Sequence, residues 1–172
     1  MSIPVFFLTG FPQHGKSTAR KYLCDRLSLT GASCSDFIYP ELARLWGVTE
    51  GHLRSLPKEE LRPHLVALGD LMTAQDAGRL VGLALDDGRR VIDGIRRIAE
   101  FDAAVRHARS RGRRPVSIWV SRTGPGTPNI RDNTQLTLMR LVDHRITAES
   151  VEQLHDRLGR LLSRTGLDGL VS

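Results

Sequence analysis

The residues best suited to chemistry lie together near the start of the chain, in Gly10-Phe11-Pro12-Gln13-His14-Gly15-Lys16-Ser17, with Thr18 next. The spacing is G-x-x-x-x-G-K-[ST], a phosphate-binding loop. Gly10 and Gly15 carry no Cβ where the backbone must curl, so successive N–H groups can point inward at phosphate oxygens. Lys16 is placed to reach the β- and γ-phosphates of a nucleoside triphosphate, and the Ser17 hydroxyl to ligate Mg²⁺. Phe11, Pro12, Gln13 and His14 complete the nucleotide-binding stretch, and His14 carries no catalytic role because the x positions vary freely.

Phosphoryl transfer also needs acids and cations further along. Asp93 ends the apolar run Arg90-Val91-Ile92-Asp93-Gly94, and ligands of a parallel sheet gather at the C-terminal ends of its strands. Asp93 can therefore bind Mg²⁺ or accept a proton from the attacking group. Asp36, expected near the end of a strand spanning Ala32 to Tyr39, is the second candidate base. Arg122 and Arg131 border the stretch Ser121 to Asn133, which holds Gly124, Pro125, Gly126 and Pro128 and reads as a lid. A guanidinium closing from there would stabilise charge on the transferring group.

The elements needed to position these residues are legible as periodicities. Ile3 to Leu8 is a buried strand and Lys16 to Leu29 a helix, so strand, glycine loop and helix arrive in the required order. Pro40 is expected to start a helix running Glu41 to Trp46, with Gly47 as its stop. Apolar positions from Glu59 to Leu85 predict one or two amphipathic helices, with Pro63 in a first turn. Ile98 to Arg111 is helical, Pro115 to Val120 a strand, Gln135 to Leu141 a helix and Arg145-Ile146-Thr147 an edge strand. Ser150 with Gln153 predicts a capping box for a last helix reaching Leu162, followed by a loose tail from Ser163 to Ser172. Together they predict a three-layer α/β fold, a parallel sheet of about five strands with helices on both faces, in one domain spanning residues 1–172.

Bulk properties are those of a soluble globular chain: 172 residues, 40% hydrophobic and 26% charged. No apolar run approaches the roughly 18 residues of a membrane span, and no signal segment precedes the first strand. Cys24 and Cys34 have no metal-ligand spacing, and a reducing cytoplasmic setting with two free thiols is expected. The formal charge is +6, and 22 of the 25 basic residues are arginine, a skew that a GC-rich genome alone can produce. Nine arginines fall between Arg89 and Arg114 against Asp93, Glu100 and Asp102. A solvated helix face is one reading of that window and a nucleic-acid surface the other.

The series GFPQHGKST, LxxLGDLM at Leu65 to Met72, VIDGIRR at Val91 to Arg97 and HRITAESVEQLH at His144 to His155 resembles the phage deoxynucleoside monophosphate kinase group of P-loop kinases, relatives of thymidylate kinase. Within it the chain is most similar to the phage 5-hydroxymethyl-deoxyuridine (5-hmdU) DNA kinases, which phosphorylate a hydroxymethyl group on uracil already in DNA. The resemblance implies a doubly wound parallel sheet, ATP and Mg²⁺, with Gly10 to Ser17 on ATP, Asp93 at the acidic strand end and Arg62 and Arg96 on the acceptor. If phage-encoded, the protein would act in the host cytoplasm, as a monomer or homodimer. Where the group's last strand often runs into Asn-Asp-Gly, this chain has Ala148-Glu149-Ser150, and its lid is shorter than in full-length monophosphate kinases.

Two acceptors are open at this point. A hydroxymethyl group on DNA requires a nearby base, Asp36 or Asp93, and a positive groove, for which the arginines from Arg89 to Arg114 are available. A free deoxynucleoside monophosphate requires no base but a cationic fork, for which Arg62, Arg79, Arg96 and Arg97 suffice. A nucleotide-dependent switch without a phosphorylated product is the third reading, and no residue marks a water-positioning or switch element.

Overall fold

The first strand, β1 (Pro4–Thr9), is buried along its whole length, as a strand covered on both faces must be. The computed structural model describes residues 4–124 and 133–170. After β1 come α1 (Lys16–Leu27), β2 (Gly31–Ser33), a 3₁₀ turn (Cys34–Phe37), α2 (Tyr39–Trp46), α3 (Glu50–Ser55), α4 (Lys58–Gln75) and α5 (Arg79–Asp86). β3 (Val91–Asp93), α6 (Ile98–Ser110), β4 (Arg114–Arg122), α7 (Asn133–Leu141), β5 (His144–Ala148), α8 (Val151–Arg164) and a 3₁₀ turn (Asp168–Leu170) complete the order. The five strands form one sheet in the order β2-β3-β1-β4-β5, with every pairing parallel.

Alternation along β1 divides the core in two. Val5 and Phe7 face one layer with Trp119, Phe101 and Leu138, while Phe6 and Leu8 face the other with Leu23, Leu158 and Leu162. Each face of the sheet is thus covered, as the α/β expectation requires. In register, Leu8 of β1 stands beside Asp93 of β3, and Asp93 beside Ser33 of β2. The C-terminal ends of three strands therefore meet in one row directly under the glycine loop.

Several local expectations are corrected. β2 is three residues long rather than reaching Tyr39, because Ser33 caps a 3₁₀ turn: its side chain accepts from the Asp36 backbone, and the Asp36 carboxylate accepts the Ser33 N–H at 2.7 Å. α3 is capped by Thr49, whose side-chain oxygen accepts the His52 N–H. Because α4 starts at Lys58, Pro63 lies inside the helix beyond its first turn, so the Glu59 carbonyl has no N–H from residue 63 to accept. β4 continues through Arg122, so the irregular stretch begins later than Ser121, and α7 begins at Asn133. Residues 125–132, with Arg131 and most of the expected lid, lie outside the described residues. The tail is not loose up to residue 170: Leu167 is buried against the α1 and α8 layer, and a 3₁₀ turn follows it.

The last helix starts as expected, with Ser150 accepting the Gln153 N–H. Its Gln153 side chain, however, takes the N–H of Glu149 rather than that of the cap residue. Cys24 and Cys34 are free thiols, and burial pushes the Cys34 thiol far up. Among the described residues no helix is long and apolar enough to cross a membrane.

Candidate active site

The glycine loop is shaped by positions only particular residues tolerate. Gly10 has φ +135°, and a Cβ there would fall 2.1 Å from the Val120 carbonyl oxygen, so β1 and β4 approach too closely for any side chain. Gly15, with φ +89°, caps α1, and Gln13 is a non-glycine residue at φ +61°. Phe11 anchors the loop by packing edge-on to Trp119 at 5.2 Å and to His14 at 5.4 Å between ring centroids. His14 is buried, and its Nδ1 accepts the Arg122 N–H at 3.1 Å, which ties the loop to the end of β4. The first turn of α1 carries no acidic side chain, so its free N–H groups and positive dipole end are open to an anion.

Lys16 Nζ donates to the carbonyls of Gly10 at 2.8 Å and Phe11 at 2.6 Å. Desolvation lowers its pKa from 10.5 to about 8; the Asp93 charge works against this shift and Arg96 with it. An ammonium so poorly solvated gains most from an anion at its tip.

Two clefts flank the loop and share Gln13, Lys16 and Ser17. The first, about 370 Å³, runs from the loop past Ser121 and Arg122 to Glu149, Ser150 and Leu154. The second, about 330 Å³, lies between the ends of β2 and β3 and one face of α4, with Asp93, Arg96 and Lys58 among its walls. A phosphate chain on the loop would lie between them, which suits donor nucleotide on one side and acceptor on the other.

The structure separates the two aspartates proposed as bases. Asp93 is 4% exposed in the wall of the second cleft, and among the described residues its Oδ2 makes no hydrogen bond, its neighbour being Arg20 Nη1 at 3.3 Å. Asp36 instead caps the 3₁₀ turn, lies 3.8 Å from Arg20 and 3.7 Å from Arg54, and lines a different groove on the far side of β2. Its expected place at a strand end above the site is overturned by the capping box.

Arg62 and Arg96, which the resemblance assigns to the acceptor, both line the second cleft. Arg97 does not, and pairs with Asp70 at 2.8 Å. Arg79 begins α5 and is not part of that wall. Arg122 is exposed and lines the first cleft. The arginine window is not a single surface. Arg89 and Arg90 precede β3, Arg113 and Arg114 lie at the start of β4, and Arg106, Arg109 and Arg111 lie on the C-terminal half of α6. All seven therefore gather at the N-terminal edge of the sheet, away from the loop, and Arg89 and Arg111 are paired with Asp87 and Asp86.

Sequence reasoning missed Lys58, Asp70 and Glu100, which also line the second cleft. For Lys58 and Asp70 the signal was spacing, since Lys58, Arg62, Leu65, Gly69 and Thr73 recur on the face of α4 that fronts the cavity; Glu100, in the first turn of α6, carried no such signal.

The donors present fit a nucleotide-borne Mg²⁺. Ser17 and Asp93 border the same cleft, and a hydroxyl beside a carboxylate is the kind of hard oxygen pair that Mg²⁺ takes. Among the described residues no group of three or more His, Cys, Asp or Glu could hold a metal by itself, and Mg²⁺ at phosphate sites characteristically takes one or two protein ligands with water and phosphate for the rest.

No family model matches the chain, and no curated protein matches it. Solved structures do. The shikimate kinase of Aquifex aeolicus superposes with a TM-score of 0.57 at 14% identity, over 95% of this chain and 99% of that one. The APS kinase of Mycobacterium tuberculosis gives 0.50 at 17% identity, over 94% and 98%. A sugar kinase of Janibacter gives 0.50 at 17%, over 99% and 98%. Together with the sheet order and the loop, these likenesses establish that the chain has the P-loop kinase fold.

Proposed function

We propose that the protein is an ATP-dependent phosphotransferase that phosphorylates the hydroxymethyl group of 5-hydroxymethyl-deoxyuridine in DNA, a step in thymidine hypermodification. The observation that carries this reading is the buried Asp93 carboxylate in the wall of the second cleft, which that cleft shares with Lys16. An aliphatic hydroxyl is a weak nucleophile until its proton is accepted, so a hydroxyl acceptor needs a carboxylate where a phosphate acceptor does not. The sequence motifs resembling the 5-hmdU DNA kinases support the same acceptor.

In this reading the acceptor oxygen attacks the γ-phosphorus, its proton passes to Asp93, the bond to the bridging oxygen breaks, and ADP leaves. Lys16 holds the β- and γ-phosphates, and the N-terminus of α1 receives the charge that develops there. Ser17, with Asp93, would hold Mg²⁺, which supplies charge neutralisation on the phosphate oxygens. A cleft of about 330 Å³ suits one nucleotide unit and not a duplex. A base within DNA would therefore enter it flipped out, with flanking phosphates near Lys58, Arg62 and Arg96.

Those three cations favour a second reading, a free deoxynucleoside monophosphate converted to the diphosphate. Its phosphate is already ionised near neutral pH, and cations at the cleft would bind it directly. The test is to offer γ-labelled ATP with hydroxymethyluracil-containing DNA and, separately, with each deoxynucleoside monophosphate. Label in the DNA supports the first reading, and label confined to the monophosphates replaces it with the second.

A further inference from the structure

We propose that Arg20 is a positioning residue for Asp93, holding one oxygen of that carboxylate from behind the second cleft and setting how strongly the carboxylate draws a divalent cation. Arg20 lies one turn after Lys16 on α1, and its side chain passes Gly31 at the start of β2. A Cβ on Gly31 would fall 2.9 Å from Arg20 Cγ and 2.9 Å from the Val91 carbonyl oxygen, so the glycine keeps the passage open. At its end, Nη1 stands 3.3 Å from Asp93 Oδ2, with side-chain exposures of 25% and 6%.

Neither atom of this pair makes a hydrogen bond among the described residues, although both are buried. A buried carboxylate needs a compensating charge, and Arg20 supplies it without saturating the oxygen. The same Nη1 lies 3.8 Å from Asp36 Oδ2, and Asp36 is 3.7 Å from Arg54, which pairs with Glu50 at 2.6 Å. Ion pairs thus run from the cleft through Asp93, Arg20, Asp36 and Arg54 to α3. Asp36, unsuited to be the base, divides the Arg20 charge between itself and Asp93.

A guanidinium and a divalent cation compete for the same carboxylate. Removing the guanidinium leaves the carboxylate's full charge to the cation but frees it to turn away from the acceptor. Metal affinity and transfer rate should therefore move in opposite directions, which loss of packing alone would not produce.

The test measures Mn²⁺ binding in the presence of ADP, from the electron paramagnetic resonance signal of free Mn²⁺. Arg20→Met is expected to tighten binding threefold or more, on the order of a partly screened unit charge, and Arg20→Lys to stay near wild type. Asp36→Asn keeps an oxygen for the Ser33 N–H but returns the Arg20 charge to Asp93, and is expected to weaken binding. The kinetic arm rests on the phosphotransferase reading: Arg20→Met should lower kcat about tenfold or more with little change in KM for ATP.

Unchanged Mn²⁺ affinity in a folded Arg20→Met protein overturns the proposal, as does an unchanged kcat, or an Arg20→Lys protein that behaves like Arg20→Met. Should Arg20→Met not fold, Asp36→Asn decides, and unaltered Mn²⁺ affinity there overturns the proposal equally. The metal arm needs no acceptor. Wild-type protein that transfers phosphate to nothing would remove the phosphotransferase reading and leave Arg20 to be judged by Mn²⁺ alone.

Discussion

At the scale of single residues, Lys16 gives the sharpest expectation. In the folded chain its proton is held to about pH 8, against 10.5 ordinarily. Between those values the unfolded chain binds more protons than the folded one, so the Lys16 contribution shifts in favour of folding as pH rises through that window. Phosphate oxygens at the loop act oppositely and return the proton. ADP binding near pH 8.5 is therefore expected to take up protons, with affinity falling as pH rises above about 8. Calorimetry in two buffers of different ionisation enthalpy measures this uptake, and its absence would show that Lys16 does not meet the phosphates. Lys16→Ala should abolish both the uptake and transfer to any acceptor, by a factor on the order of 10² or more. Asp93→Asn should also lower the transfer rate about 10²-fold, whereas Asp36→Asn, outside the cleft, should keep most of it. Equal losses in the two variants would contradict the separation of their roles.

At the scale of elements, the loop depends on how closely β1 and β4 approach. Gly10→Ala places a carbon 2.1 Å from a backbone oxygen in the neighbouring strand. The expected cost is at least about 2–3 kcal/mol, read as a lower midpoint in urea unfolding together with weakened ADP binding. A midpoint like that of wild type would mean the strands can separate there at no cost. This element was legible in the sequence because its parts are local: two glycines, a lysine and a serine within eight positions, preceded by an apolar run. Asp93 was legible for a similar reason, since a short apolar run ending in an acid defines a strand end. Asp36 was misplaced because Phe37, Ile38 and Tyr39 have strand-forming side chains, although Ser33 and Asp36 already stood three residues apart as a capping pair. Lys58 and Asp70 were overlooked because a helix period shows that one face is special, not what lies opposite it.

For the whole molecule, the fold divides what the sequence clusters. Arg90 and Arg96 are six positions apart but flank β3, so the strand separates them by about 10 Å or more and sends them to opposite edges of the sheet. If DNA is the partner, Lys58, Arg62 and Arg96 should dominate binding. Reversing Arg106 and Arg109 to glutamate should leave DNA affinity and its salt slope nearly unchanged. Replacing Arg62 and Arg96 should reduce the slope by about 0.9 for each phosphate that is no longer neutralised. Fluorescence anisotropy at several salt concentrations makes the comparison, and a larger effect from the α6 pair would move the DNA surface to the far edge of the sheet.

The two clefts share a wall made of Gln13, Lys16 and Ser17. A compound that joins an adenosine polyphosphate to an acceptor mimic could therefore fill both without a long spacer. Once one half is seated, the other is held at an effective concentration of about millimolar or above, and the halves' affinities multiply rather than add.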